Sequence, residues 1–262
     1  MAEPPESAPA SVVTVTLPGG MTLRVATALQ LLERAGQPWL AGLEPGSPAW
    51  LQALIDALCV LSSRDPLTGL FNRRQFEVSL DSEVDRVARS GESALLLLLD
   101  IDHFKRINDT YGHAAGDLVI RAVGRALLEC VRPMDTVARI GGEEFAAVLP
   151  SCPSSFGESV ANRVRMAIES RVIEVAPRLH VTVTVSVGGA FAPQWIRSSP
   201  RLWLERADQQ LYRAKAAGRN RTCLEAPPRS EVSREERDLL FSSLSAYLPD
   251  PPDTPDTLPT TR

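Results

Sequence analysis

Apolar residues recur along this chain at two spacings, one suited to helices and one to strands. Val12–Leu17 and Met21–Val25 alternate apolar and polar residues around Pro18–Gly19–Gly20, which predicts a small hairpin. Thr27–Ala35 has helical character and stops at Gly36, and Gly42–Pro48 reads as a linker. Pro48–Ser63 reads as a helix. Its Leu51, Leu54, Leu58 and Leu61 form a heptad seam that Trp50 and Ile55 widen, which suits a coiled coil or a helix packed on its own domain. Asp65–Pro66 ends it. The next helix is capped near Asn72, carries Phe76, Leu80, Val84 and Val87 on one face, and ends at Gly91. Leu95–Leu99 is apolar at every position, as in a strand covered on both faces, with Asp100 at its C-terminal end. A loop over His103–Gly116 leads to a helix from Asp117 to Cys130, with Leu118, Val123, Leu127 and Cys130 inward. Thr136–Ile140 and Phe145–Leu149 flank Gly141–Gly142 as a hairpin, where glycine is expected to take the positive φ of a tight turn. A helix over Ser155–Ser170 buries Val160, Val164 and Ile168. A strand over Val181–Val187 ends in a turn at Gly188–Gly189, and Leu202–Ala217 is the last core helix, stopped by Gly218. Helix, strand, helix, hairpin, helix, strand, helix predicts an α+β domain: a mixed, mostly antiparallel sheet with helices packed on it.

The flanks differ in kind. Met1–Ala10 is rich in Pro, Ala and Glu and is expected to be disordered; residues 11–47 form a small N-terminal segment of unknown role. After a core domain over 64–224 comes an acidic tail, Glu225–Arg262. Ser233 and Glu236 fit a capping box there, Leu239, Leu240, Leu244 and Leu248 form an apolar stripe, and Pro249–Arg262 reads as disordered. The tail's eight acids and four bases account for the whole net charge of −4, so the body is close to neutral. That argues against a general binder of nucleic-acid polymers. The longest wholly apolar run, Ala94–Leu99, is too short to span a bilayer. Cys59, Cys130, Cys152 and Cys223 lack metal or CxxC spacing and read as free thiols of a cytoplasmic protein.

Candidate chemistry gathers at two acidic clusters, Asp100–Ile101–Asp102 and Glu143–Glu144. One ends a strand and the other follows paired glycines in a hairpin, so neighbouring strands would bring Asp100 and Glu143 together. Two such carboxylates can hold Mg²⁺ beside an anionic ligand; the bland alternative is an acidic, solvated turn. Lys105, Lys215 and Arg219 are the basic partners. The last two, at i and i+4, are expected on one face of the final helix, as phosphate ligands or as a solvated face. Asn108, His113 and Asp117 offer polar side chains along one loop. Asn and Asp can read the edge of guanine, and Asp117 could equally be a helix cap. Arg132 and Asp135 bracket Pro133, a spacing common in exposed ion pairs. His180 is given no role, and Leu211 and Tyr212 read as core.

Taken together, these residues resemble the GGDEF-domain diguanylate cyclases. The likeness runs over Arg64–Arg221 and rests on Asp65-Pro-Leu-Thr-Gly-Leu-Phe-Asn-Arg-Arg74, Asp100-Ile-Asp-His-Phe-Lys-Arg-Ile-Asn108, Tyr111-Gly-His113 and Gly116-Asp117. It continues through Arg139-Ile-Gly-Gly-Glu-Glu-Phe145, Ser186-Val-Gly188, Ala207-Asp208, Leu211-Tyr212, Lys215 and Gly218-Arg219-Asn220-Arg221. The resemblance implies a palm-like, nucleotidyl-cyclase-like fold and the joining of two GTP into cyclic di-GMP with release of two pyrophosphates. It implies that Asp100, the Ile101 carbonyl and Glu143 bind Mg²⁺, with Mn²⁺ a substitute. Glu143 would also be the base for the ribose 3′-hydroxyl, supported by Glu144. Asn108 and Asp117 would read guanine, with His113 nearby. Phe104 and Lys105 would sit over the phosphates, Lys215 and Arg219 would grip them, and Gly142 would let the nucleotide close in. Arg132 and Asp135 match the family's product-inhibition site in position and type.

One domain holding one GTP implies a homodimer, with the helix Pro48–Ser63 as the element to set it. The rival reading is a non-catalytic module, either a receptor using Arg132 and Asp135 or a GTP sensor.

Overall fold

The computed structural model describes residues 14–16, 20–36, 39–192 and 198–226. The expected disorder of Met1–Ala10 and the expected tail helix lie outside the described residues. Five strands form the central sheet: β3 (Leu95–Ile101), β4 (Thr136–Arg139), β5 (Glu144–Leu149), β8 (Val185–Phe191) and β9 (Thr222–Leu224). Their order is β4-β5-β3-β8-β9, antiparallel at every pairing except the parallel β8–β9. This is the α+β, mostly antiparallel arrangement expected. β3 lies at the centre and is buried at all seven positions, which is why its sequence shows no alternation.

Helices cover both faces. Alternate β3 residues Leu95, Leu97, Leu99 and Ile101 pack with Val119, Val123 and Leu127 of α5 (His113–Glu129) and Val164 and Ile168 of α6 (Ser154–Glu169). On the other face Leu96 and Leu98 pack with Phe76, Leu80, Val84 and Val87 of α3 (Arg73–Ser90) and Trp203, Ala207 and Leu211 of α7 (Pro200–Ala216). The Asn72 side chain caps α3 by accepting from the Gln75 N–H.

Several expectations need correcting. The stretch read as a loop, His103–Gly116, holds α4 (Phe104–Tyr111) and the start of α5, hinged at Gly112 with φ +83°. α4 is only eight residues long, and its Phe104 and Ile107, three apart and packed on one core, are a short helical signal that the loop reading passed over. Gly188 and Gly189 lie inside β8 and make no turn. A Cβ on Gly188 would stand 2.0 Å from the Leu211 backbone nitrogen, so glycine here lets α7 approach the sheet. The segment expected to begin that strand divides instead into β7 (Leu179–Val181), paired with β6 (Ile173–Ala176), and β8. Leu211 is core as read, whereas Tyr212 is 72% exposed.

The N-terminal segment forms the expected hairpin, β1 (Thr14–Thr16) and β2 (Thr22–Arg24), then α1 (Ala26–Arg34). Val15, Val25 and Leu32 bury Trp50, Leu54 and Ala57 of α2 (Pro48–Ser63), and Leu51, Leu58 and Leu61 pack at the margin. The heptad seam therefore faces this small core. Ile55, 54% exposed, and Val60, 36% exposed, are large apolar side chains that α2 presents outward. Among the described residues no helix is long and apolar enough to cross a membrane, and the four cysteines are free.

Candidate active site

The two acidic clusters meet at one end of the sheet, on its α3/α7 face. Asp100 pairs across β3–β5 with Glu144, and the Ile101 N–H donates to the Glu143 carbonyl at 3.2 Å. Strand alternation turns Asp100 to the same face as Leu96 and Leu98, towards α7. There the Lys215 ammonium reaches Asp100 Oδ2 at 2.6 Å. Asp100 itself is buried, and burial first, then the Asp100 charge, hold the Glu143 carboxyl above the usual carboxylate range. Lys215 opposes that shift, and Glu144 adds to it weakly. Two neighbouring carboxylates, with one lysine paired to Asp100, carry more negative charge than that lysine balances.

That donor set suits a hard divalent cation. Mg²⁺ takes one or two carboxylates and completes its shell with water and substrate oxygens. Asp100, Glu143 and the Ile101 carbonyl supply that much. Among the described residues no group of three or more His, Cys, Asp and Glu side chains forms a ready metal cage, so substrate oxygens would have to finish the shell.

The hairpin turn is built differently from expectation. Neither Gly141 nor Gly142 has a positive φ. Gly141 is crowded instead: a Cβ there would stand 2.3 Å from Glu144 Oε2, the movable end of an exposed side chain, and 3.2 Å from its Cβ. Around Gly142 there is open space, which leaves its backbone accessible. Arg139 staples the turn, donating from Nη2 to the Gly142 carbonyl at 2.8 Å and from Nη1 to Asp65 Oδ2 at 3.3 Å. The Asp65 carboxylate also caps the Thr68 N–H, and Phe71 hydrogen-bonds β4 at its free edge. The Asp65–Asn72 segment thus protects a sheet edge and braces the acidic turn.

Asn108 on α4 and Asp117 on α5 lie at the α4–α5 packing. Asp117 is the fifth residue of α5, so the cap reading falls. Gly116, buried beneath them, would carry a Cβ only 2.0 Å from Asn108 Oδ1 and 3.1 Å from Phe104 Cζ. Its bare backbone is what lets the Asn108 amide lie against α5. Asp117 and His113 are exposed, His113 at the N-terminus of α5. Phe104 is a core side chain, 6% exposed, so only its backbone can face a ligand, while Lys105 next to it is exposed.

The Lys215–Arg219 pairing on one helix face is not found. α7 ends at Ala216, Gly218 turns at φ +112°, and Arg219 and Asn220 follow at φ +63° and +44°. Lys215 acts from the last helical turn and Arg219 from the reversed segment beyond it. Arg219 is exposed, and its guanidinium makes no ion pair or hydrogen bond among the described residues.

Arg132 and Asp135 do meet, before β4. Arg132 Nη2 reaches Asp135 Oδ1 at 3.1 Å and the Pro150 carbonyl at 2.7 Å, and its backbone N–H donates to Asp135 Oδ2 at 2.7 Å. The guanidinium side chain is 48% exposed and the carboxylate 1%. This is a built corner with an open guanidinium, unlike the solvated pair first considered. His180 is exposed on β7.

Sequence reasoning quoted Asp65, Arg139, Gly116 and Asn220 without assigning them work. Arg139 had a signal, standing three residues before the carbonyl it holds. Asp65 signalled only its local cap on Thr68, since Arg139 lies 74 residues away, and the side-chain partners of Asn220 lie 51 or more residues away.

Comparison with known proteins agrees with this geometry. The family model described as "Diguanylate cyclase, GGDEF domain" matches residues 62–221, more than half of the chain. "Probable diguanylate cyclase DgcC" of Escherichia coli K12 is 43% identical over 166 residues, 63% of this chain and 44% of the relative. "Diguanylate cyclase DgcP" of Pseudomonas aeruginosa is 44% identical over 158 residues, 60% of this chain and 23% of the relative. The chain therefore spans less than half the length of these curated relatives. The crystal structure of the coiled coil and GGDEF domain of DgcB from Caulobacter crescentus in complex with c-di-GMP aligns at a TM-score of 0.63 and 31% identity, over 77% of this chain and 97% of that one. With sequence motifs, fold and site geometry all in register, the chain belongs to the GGDEF-domain family.

Proposed function

We propose that the chain condenses two GTP into cyclic di-GMP with release of two pyrophosphates, in a homodimer, with Mg²⁺, for which Mn²⁺ would substitute, as cofactor. The observation that carries this reading is the convergence of Asp100, Glu143 and Lys215 at one end of β3. The names and bound ligand of the relatives support it.

In this reading Asp100, the Ile101 carbonyl and Glu143 would hold the cation. The cation would offset phosphate charge and make the ribose 3′-hydroxyl easier to deprotonate. Glu143 would also accept that proton. Glu144 keeps the turn in shape by lying over Gly141. Lys105, Lys215 and Arg219 grip the triphosphate as point charges and a fork. Asn108 and Asp117 hydrogen-bond the guanine edge, and His113 stands beside them. Gly142 leaves room for the nucleotide.

Each 3′-oxygen must meet the partner nucleotide's α-phosphorus in line, so two domains must face each other. Because the α2 seam is covered by the N-terminal core, its outward face at Ile55 would serve any pairing through α2. Arg132 and Asp135 form the product-inhibition corner, with the open guanidinium taking guanine or phosphate of the product.

The test is incubation with GTP and Mg²⁺ over a range of protein concentrations, with chromatographic detection of product. A cyclic dinucleotide and two pyrophosphates per product are expected, with specific activity rising with protein concentration. GTP binding without product would favour the sensor reading. Activity independent of concentration would remove the transient dimer.

A further inference from the structure

Asp102 is the one residue of the first acidic cluster that the proposed chemistry does not use. Its side chain is buried, and none of the ion pairs found among the described residues includes it. β3 ends at Ile101, and beyond it the Asp102 carboxylate meets Thr184, Ser186 on β8 and the segment after α7. Its carboxylate accepts three hydrogen bonds, from Thr184 Oγ1 and Ser186 Oγ at 2.7 Å each and from the Asn220 backbone N–H at 3.0 Å. Burying a carboxylate without a cation is costly unless its lone pairs are well met, so a neutral residue would be the cheaper choice for the fold alone.

What the carboxylate holds is unusual backbone. Arg219 and Asn220 are consecutive non-glycine residues at positive φ, a conformation that persists only when its surroundings enforce it. The Asn220 side chain is clamped as well, by Arg165 at 2.9 Å and Glu169 at 2.7 Å. Asp102 also begins the segment that leads through His103, itself at φ +58°, to Lys105. One carboxylate thus ties the chain that carries Lys105 to the chain that carries Arg219.

We infer that Asp102 is a positioning residue: it fixes the reversed Arg219–Asn220 turn against the end of β3, so that Arg219 and Lys105 keep the separation a triphosphate requires. This rests on the phosphate-gripping role proposed above for Arg219. Asp102 does not touch the nucleotide or the cation.

The test is a double-mutant cycle of Asp102→Asn and Arg219→Ala, read by the KM for GTP and by GTP binding in Ca²⁺, with the amide exchange rate of Asn220 followed by NMR. Asp102→Asn should raise KM about tenfold, the loss expected when one charge-assisted contact is misplaced. It should leave the Mg²⁺ requirement unchanged and speed exchange at the Asn220 amide. On an Arg219→Ala background it should add nothing further to KM. Additive effects, an altered Mg²⁺ requirement, or a protected Asn220 amide in Asp102→Asn would each overturn the positioning role. If Asp102→Asn does not fold, Asn220→Ala loosens the same turn from its other side and enters the same cycle. A parent chain that binds GTP but never turns it over would count against the cyclase reading, and the binding and exchange measurements would still decide the role of Asp102.

Discussion

Gly116→Ala separates the guanine-reading geometry from the stability of the fold. The new methyl would lie 2.0 Å from Asn108 Oδ1 and 3.1 Å from Phe104 Cζ. Phe104 is locked in the core, so the movable group is the Asn108 amide. Replacing a helical glycine by alanine gains up to about 1 kcal/mol of propensity. Crowding a packed site costs about 1–3 kcal/mol, at its lower end when a side-chain tip can swing away. The net effect on stability is therefore within about 1–2 kcal/mol, and a urea titration should place the variant close to the parent. Binding is where the change tells. A guanine edge left without its amide partner loses about 1–3 kcal/mol, a rise in KM for GTP of roughly 5- to 150-fold. Discrimination against ATP should fall in the same variant. The assay is pyrophosphate release against GTP and ATP, on protein whose folded fraction is fixed by the urea curve. A KM within twofold of the parent in a fully folded variant would refute the placement of Asn108 at the base.

Two other outcomes are expected. Arg132→Ala leaves the buried Asp135 carboxylate with only its backbone donor, so stability should drop by about 1–3 kcal/mol and inhibition by added cyclic di-GMP should weaken at least about tenfold; unchanged inhibition would remove the regulatory corner. Glu143→Gln should stabilise the metal-free fold at pH 8. The unfolded chain ionises this carboxyl at an ordinary, lower pH, so native stability falls as pH rises from the unfolded value through the raised folded one. Urea midpoints in chelator should show the advantage fading below about pH 4, and a variant less stable than the parent at pH 8 would contradict the crowded-carboxylate account.

Long elements with one dominant face were legible in the sequence. The Phe76, Leu80, Val84, Val87 stripe and the unbroken Leu95–Leu99 run declare a helix on a sheet and a central strand, because burial alone shapes them. The acidic clusters were legible too, since a strand end and a hairpin turn have few ways to meet. What failed was glycine. Gly141, Gly188 and Gly116 were read, where they were read at all, as turn residues or motif markers. Each is in fact a place where another atom comes too close for a Cβ, and that information resides in the neighbour. α4 was missed because it is only eight residues long and lies between Gly112 and the loop after β3, although Phe104 and Ile107 stand three apart on its buried face. Lys215 and Arg219 were placed on one helix because i, i+4 spacing assumes the helix continues. The positive φ values of Gly218, Arg219 and Asn220 break it, and the Asn220 N–H is held by Asp102, more than a hundred residues earlier.

Everything turns on Asp100 and Glu143 sharing one cation beside a triphosphate. Mn²⁺ binding followed by electron paramagnetic resonance, with a non-hydrolysable GTP analogue present, measures that without relying on turnover. Tight binding by the parent chain, weakened at least about tenfold in both Asp100→Asn and Glu143→Gln, is the predicted result. Binding that is equal in the parent and in either variant would contradict it.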